Sequence, residues 1–221
     1  MHTVPVTGVA AAVMTDAGHA VRVHATDEVA ARLDEVQFEL GEGPAREAFG
    51  NGYPVLMADI GDPATAGRWP AFTHAAREAG AAAVFALPLQ LGAIQVGALL
   101  MYRTEPGELD PAAFAEALRI ADSITYVLVN LVGPTLGEPD RSAMAAHDTD
   151  PDGEGPMGVL IEPDDTMYRA VVHQAAGMLS AQLGVSLDEA LARLRAHAFA
   201  EGESLTDVAR AVVTRTLRLG R

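Results

Sequence analysis

No cysteine occurs among the 221 residues. Disulfides, thiol nucleophiles, zinc fingers, iron–sulfur sites and thiol-based oxidation sensing are therefore excluded together. Lysine is missing as well: all 15 basic residues are arginine, set against 30 carboxylates for a net charge of −15. No apolar run reaches the roughly 20 residues of a membrane span. The opening stretch MHTVPVTGVAAAVM lacks the basic region of a secretory signal peptide. These absences predict a cytoplasmic protein with no membrane partner. His2, His19, His24, His74, His147, His173 and His197 show no metal-ligand spacing. There is no G-x-S-x-G, no G-x-x-x-x-G-K-[ST], no recognisable carboxylate pair and no evident receiver-type phosphorylation site. No catalytic residue, metal or cofactor is predicted.

What is present is unevenly charged. Residues 1–168 hold eight arginines and 25 carboxylates, net −17, whereas residues 169–221 hold seven arginines and five carboxylates, net +2. An acidic body with a mildly basic tail hints at an anionic partner for the tail. Three segments follow from the patterning. Residues 1–132 mix strand-like and helix-like stretches. VTGVAAAVM and HAVRVHA are strands around TDAG. TDEVAARLDEVQFE is a helix with Thr26 as N-cap. YPVLMADI is a strand, WPAFTHAAREAG a helix, and AAAVFALPLQL with AIQVGALLMYR a hairpin. A long apolar helix over 112–132 closes the segment, starting after Asp110-Pro111. The mixture predicts an α+β domain with an antiparallel sheet and flanking helices. Residues 133–164 are rich in Gly, Pro and Asp. From Glu138 to Asp165 there are nine carboxylates and one arginine, the composition of a linker.

The remainder, 165–221, reads as three short helices. Met167, Val171, Ala175, Met178 and Leu179 recur at helical spacing, and Gly184 ends that helix. Ser186 with Glu189 forms a capping box for the second helix. Its apolar stripe is Leu187, Ala190, Leu191, Leu194 and Ala198. Ser204 with Asp207 caps a third, whose apolar face runs from Leu205 to Leu217. Helices this short need each other to persist in water. Gly177 stands inside the first at a cost of about 1 kcal/mol relative to alanine. With Ala175 and Ala176 it is expected to let another helix approach closely.

Val172, Ala175, Gly177, Met178 and Leu179, then G-V-S-x-x-E-A-x-x-x-L-R and L-x-D-V-A-x-x-V-V, resemble the ANTAR domain across about 169–217. That family is a three-helix module, generally dimeric, that binds hairpins of leader RNA and relieves transcription termination. In the first 132 residues, LGEGPAREAF, RWPAF and ALPLQL…IQVGALLMYR resemble a GAF domain, a small-molecule sensor fold. The whole chain therefore resembles a GAF–ANTAR regulator: a GAF domain at 1–132, a linker at 133–164 and an RNA-binding bundle at 165–221. Many ANTAR relatives have lysine where this chain has Ala176, which removes a phosphate contact. Relatives of the first domain often have cysteine where Ala45 stands. Without cysteine, a GAF-type methionine sulfoxide reductase and a covalently attached bilin are both excluded.

The resemblance implies site residues. For RNA these are Arg195 at the family's L-R position, Arg210, Thr214 and Arg218 on one face of the third helix, and His173 on the first. Arginine serves phosphate contact and stacking on unpaired loop bases. For a small ligand in the GAF pocket, the aromatics Trp69, Phe72, Phe85 and Tyr102 with His74 are the lining, and Arg68 and Asp59 the polar anchors. Phe114, Leu118, Ile120, Ile124, Val127, Leu128 and Leu131 spread around more of the 112–132 helix than one contact needs, which suits a homodimer. Two other readings of the tail remain: a DNA-binding regulator, or a dimeric sensor whose tail binds no nucleic acid.

Overall fold

The computed structural model describes residues 4–15, 20–136 and 163–220. Its frame is a five-stranded sheet. Gly8–Met14 (β1) pairs antiparallel with Ala20–Ala25 (β2) on one side. On the other side β1 meets Ile94–Arg103 (β5), which pairs with Ala83–Leu91 (β4), which pairs with Val55–Met57 (β3). Every pairing is antiparallel, and the order is β2-β1-β5-β4-β3. Alternation along the strands sorts side chains between two cores. Ala86, Leu100 and Tyr102 point to one, and Phe85, Leu87, Leu99 and Met101 to the other.

The first core is covered by Glu28–Leu40 (α1), Pro44–Asn51 (α2) and, after the exposed single turn Pro63–Ala66 (α3), Pro70–Glu78 (α4). Asp27, and not Thr26, caps α1: its Oδ1 accepts from the Ala30 N–H at 2.8 Å. The Thr26 hydroxyl accepts from the Val9 N–H at 2.9 Å, clipping the helix entrance to β1. The second core is covered by Pro111–Leu136 (α5), which starts on an Asp110 cap that accepts from the N–H groups of Ala112 and Ala113. Ala113, Ala117, Ala121 and Leu128 form its buried line, while Leu118, Ile120, Tyr126 and Val127 are exposed. Apolar residues thus spread around most of the helix, as expected, and four of them are exposed.

The tail folds as Pro163–Leu183 (α6), Leu187–Glu201 (α7) and Leu205–Val213 (α8). Both predicted capping boxes are present: Ser186 Oγ accepts from the Glu189 N–H at 3.2 Å and Ser204 Oγ from the Asp207 N–H at 3.1 Å. Of the predicted linker 133–164, the first four residues continue α5 and the last two begin α6. Residues 137–162 lie outside the described residues.

Gly177 differs from its expected role. It is exposed, and a Cβ built there meets nothing within 4 Å. The small residues of α6 that enter the core are Ala175 and Ala176, both fully buried, and α6 packs against both α7 and α8. Gly97 is the opposite case, since a Cβ there would lie 1.9 Å from the Ala12 carbonyl oxygen. Gly177→Ala is expected to stabilise the protein by about 1 kcal/mol. Gly97→Ala should destabilise it by roughly 1–3 kcal/mol, as overpacking does. Urea unfolding of the two variants checks both signs.

Candidate nucleic-acid interface

The tail core is built from small and branched side chains at helical spacing. Val172, Ala175, Ala176 and Leu179 of α6, Ala190, Leu191 and Leu194 of α7, and Val208 and Ala209 of α8 are fully buried. Methyl-sized groups at the α6–α8 crossing permit close packing of the two helices.

Five arginines of the tail fall into two groups, while Arg193 pairs with Glu189 along α7. The first surrounds the end of α8. This helix stops at Val213 instead of continuing to residue 217. The Thr214 hydroxyl donates to the Arg210 carbonyl at 2.8 Å, and the N–H groups of Thr216 and Leu217 donate to the Ala211 carbonyl at 2.9 and 3.0 Å. Between them Arg215 adopts φ 61°, the left-handed turn that glycine usually supplies at a helix end. For a residue with a Cβ that conformation costs about 1–2 kcal/mol. Arg210, Thr214 and Arg218 therefore do not share a helical face. Arg210, Arg215 and Arg218 instead stand exposed around a hooked terminus, Arg210 with Asp207 at 3.4 Å. Sequence spacing missed Arg215, because only the backbone turn brings it into the group.

The second group faces the N-terminal domain. Arg195 of α7 donates through Nε and Nη2 to the Phe38 carbonyl at 3.2 and 3.0 Å, at the carboxyl end of α1. Burial, then the like charge of Arg46, push its guanidinium down to about 10, with Asp188 acting the other way. Arg46 is itself lowered by burial. Arg169 of α6 is 1% exposed and pairs with Asp34 of α1, 5% exposed. Its guanidinium lies 4.7 Å from the Phe38 ring centre, and Nη1 donates to the Ala20 carbonyl at 3.3 Å. The His173 ring stands edge-on to Phe38 at 5.6 Å, and Tyr168 likewise at 5.9 Å. The Tyr168 hydroxyl donates to Glu39 at 3.2 Å. Burial first, then Glu39 and Glu35, raise the Tyr168 phenol. Arg195 and His173 thus do not join Arg210 and Arg218 on an open face. Their places are set by Phe38, whose partners cannot be read from the tail sequence. The sequence reading also passed over Phe199 near the end of α7, which is 83% exposed.

The expected ligand group does not converge either. Trp69 and Phe72 are buried in the first core and Phe85 in the second, on opposite faces of the sheet. Tyr102 donates its hydroxyl to Asp27 at 3.1 Å and so braces the α1 cap. His74 is exposed, 3.4 Å from Glu78. Asp59 accepts from the Gly61 N–H in a surface turn, and Arg68 pairs with Glu47 while lying 4.6 Å over the Trp69 ring. The aromatics are core because alternation sends Phe85 to the α5 side and Tyr102 to the α1 side. An apolar groove of about 340 Å³ opens elsewhere, between the sheet and α5, with Val9, Val23, Leu99, Ile124 and Val127 among its walls. Among the described residues no group of three or more His, Asp or Glu is placed to hold a metal ion. No described helix is long and apolar enough to cross a membrane.

Comparison with known families assigns the tail to a class. Residues 167–213, which fall on α6, α7 and α8, match the ANTAR domain. No curated protein matches the chain. Among solved structures it is similar to a domain of a two-component sensor histidine kinase protein from Sinorhizobium meliloti 1021, at 16% identity over 59% of this chain and 84% of that one, TM-score 0.48. It is also similar to the GAF domain of a phosphoenolpyruvate-protein phosphotransferase from Coxiella burnetii, at 16% identity over 60% of this chain and 77% of that one, TM-score 0.44. A type II free methionine-R-sulfoxide reductase from Thermoplasma acidophilum is similar at 16% identity over 57% of this chain and 80% of that one, TM-score 0.42.

Breaking a buried ion pair leaves an unpaired buried charge, which costs about 3–5 kcal/mol. Asp34→Ala and Arg169→Ala should each lose that order of stability in urea unfolding. The double variant Asp34→Leu with Arg169→Met should lose far less. Single-variant losses below about 1 kcal/mol would show the pair to be hydrated.

Proposed function

We propose that this chain is a transcription antitermination regulator. Its ANTAR domain binds hairpin loops of nascent leader RNA, and its N-terminal domain is a GAF-type sensor that controls it in the cytoplasm. The match at residues 167–213 carries the reading. Chemistry at the hooked end of α8 supports it: Arg210, Arg215 and Arg218 present three exposed guanidinium groups around one helix end. Guanidinium groups hold phosphate bidentately and stack on unpaired bases. The exposed ring of Phe199 offers a second surface for base stacking.

Leu118, Ile120, Tyr126 and Val127, exposed around α5, support a homodimer, since a helix apolar around most of its circumference is normally covered on more than one side. A dimer sets two ANTAR domains against two hairpins. The apolar groove under α5 is the place proposed for a small effector, in preference to the dispersed Trp69, Phe72, Phe85 and Tyr102 set. Its volume of about 340 Å³ and its hydrocarbon walls suit an uncharged, apolar molecule.

The test is fluorescence anisotropy with a synthetic leader RNA carrying two short hairpins, compared with duplex DNA of equal length. RNA should bind tighter at every salt concentration. The variant Arg210→Glu with Arg218→Glu should lose about a hundredfold in RNA affinity. Its plot of log affinity against log salt should flatten by about 2, one for each phosphate contact removed. Unchanged affinity and slope would remove the hooked arginines from the RNA contact. Tighter binding of duplex DNA would favour the DNA-binding reading.

A further inference from the structure

Two guanidinium groups come together without a counter-ion where α2 faces α7. Arg46 lies in the first turn of α2 and is half-buried. Among the described residues it makes no hydrogen bond and no ion pair. The partial positive charge of a helix amino end makes that turn a poor place for a cation. Arg195 reaches the same spot from α7, close enough for the two like charges to oppose each other. Its Nε and Nη2 are fixed on the Phe38 carbonyl at 3.2 and 3.0 Å. Its Nη1 has no acceptor among the described residues and passes Gly41, where a Cβ would come within 3.0 Å of it. Burial lowers both groups, yet guanidinium keeps its proton at neutral pH.

The neighbouring carboxylates are engaged elsewhere. Glu42 accepts from the Phe72 N–H at 3.3 Å, at the start of α4. Glu47 pairs with Arg68, and Glu189 pairs with Arg193 at 2.7 Å. Asp188 is exposed and acts on both arginines through space, but it forms an ion pair with neither. A charge taken out of water is ordinarily paired, because burial without a partner is costly.

We propose that Arg46 and Arg195 form a binding site for a small phosphoryl dianion, either inorganic phosphate or the phosphate group of a small ester. Arg195 presents the unused Nη1 edge of a guanidinium already fixed in place, and Arg46 presents a fork of N–H donors with no other acceptor. Phosphate oxygens match such forks, and a charge of about −2 balances two cations. Asp188 opposes the incoming anion and so weakens the site. Neither the RNA reading nor the apolar groove under α5 enters into it.

The test is titration calorimetry and thermal unfolding of the full-length protein with sodium phosphate, against sodium chloride at matched ionic strength and neutral pH. The unfolding midpoint should rise with phosphate concentration and not with chloride. Arg46→Gln removes a repulsion and no bond, so in chloride it should be at least as stable as wild type. It should bind phosphate about tenfold more weakly or worse. Asp188→Asn should bind phosphate several-fold more tightly. Phenyl phosphate is the second probe. If it binds as tightly as inorganic phosphate and also weakens in Arg46→Gln, the site takes an ester. Binding of inorganic phosphate alone, lost in Arg46→Gln, makes it a site for the free ion. Three results overturn the proposal: no effect of phosphate beyond that of chloride, wild-type phosphate affinity in Arg46→Gln, or a marked loss of stability of Arg46→Gln in chloride.

Discussion

Phe38, in the last turn of α1, holds the two halves of the described structure together. Its ring centre lies 4.7 Å from the Arg169 guanidinium and 5.9 Å from that of Arg195. Tyr168 and His173 meet it edge-on, and its carbonyl receives Arg195. A desolvated guanidinium over an aromatic face contributes up to about 2 kcal/mol. The Arg169–Asp34 pair beside it is close to break-even against an apolar pair of the same shape, since desolvation offsets the Coulombic gain. This contact therefore orients strongly and stabilises modestly. Around it the buried apolar residues of α1 and of the tail form one continuous cluster.

Electrostatics gives the same picture over a longer range. The tail carries a small positive charge on a chain that is otherwise strongly acidic. Arg169 and Arg195 point into the acidic partner, at Asp34 and the carboxyl end of α1, while Arg210, Arg215 and Arg218 point to solvent. The inward set holds the halves together and the outward set stays available to an anion. Arg195 joins the two sets, being an RNA candidate by its motif and a contact with the N-terminal domain by its geometry.

Most of the frame was legible in the sequence. Strands β1, β2, β4 and β5, the long α5 and both tail capping boxes follow from local rules: alternation, spacing and a side-chain oxygen ahead of each helix. Most of the misreadings turn on a partner distant in sequence, and one on a local turn. Thr26 loses the cap because Val9 takes its hydroxyl and Asp27 reaches Ala30 instead. The third tail helix looked longer because Val213, Thr216 and Leu217 keep apolar spacing past the point where Arg215 turns left-handed. The aromatic pocket dissolved because sheet alternation sends neighbouring aromatics to opposite cores. Arg195 and His173 were found by motif, yet their surroundings come from Phe38, 157 and 135 residues earlier in the chain.

The most direct measurement is nuclear Overhauser contact in solution between the Phe38 ring and the tail, with Phe38 selectively labelled in the full-length protein. The account predicts cross-peaks from the Phe38 ring protons to the Tyr168 and His173 rings, in the absence of RNA. Their absence, with the rest of α1 and α6 folded, would contradict it.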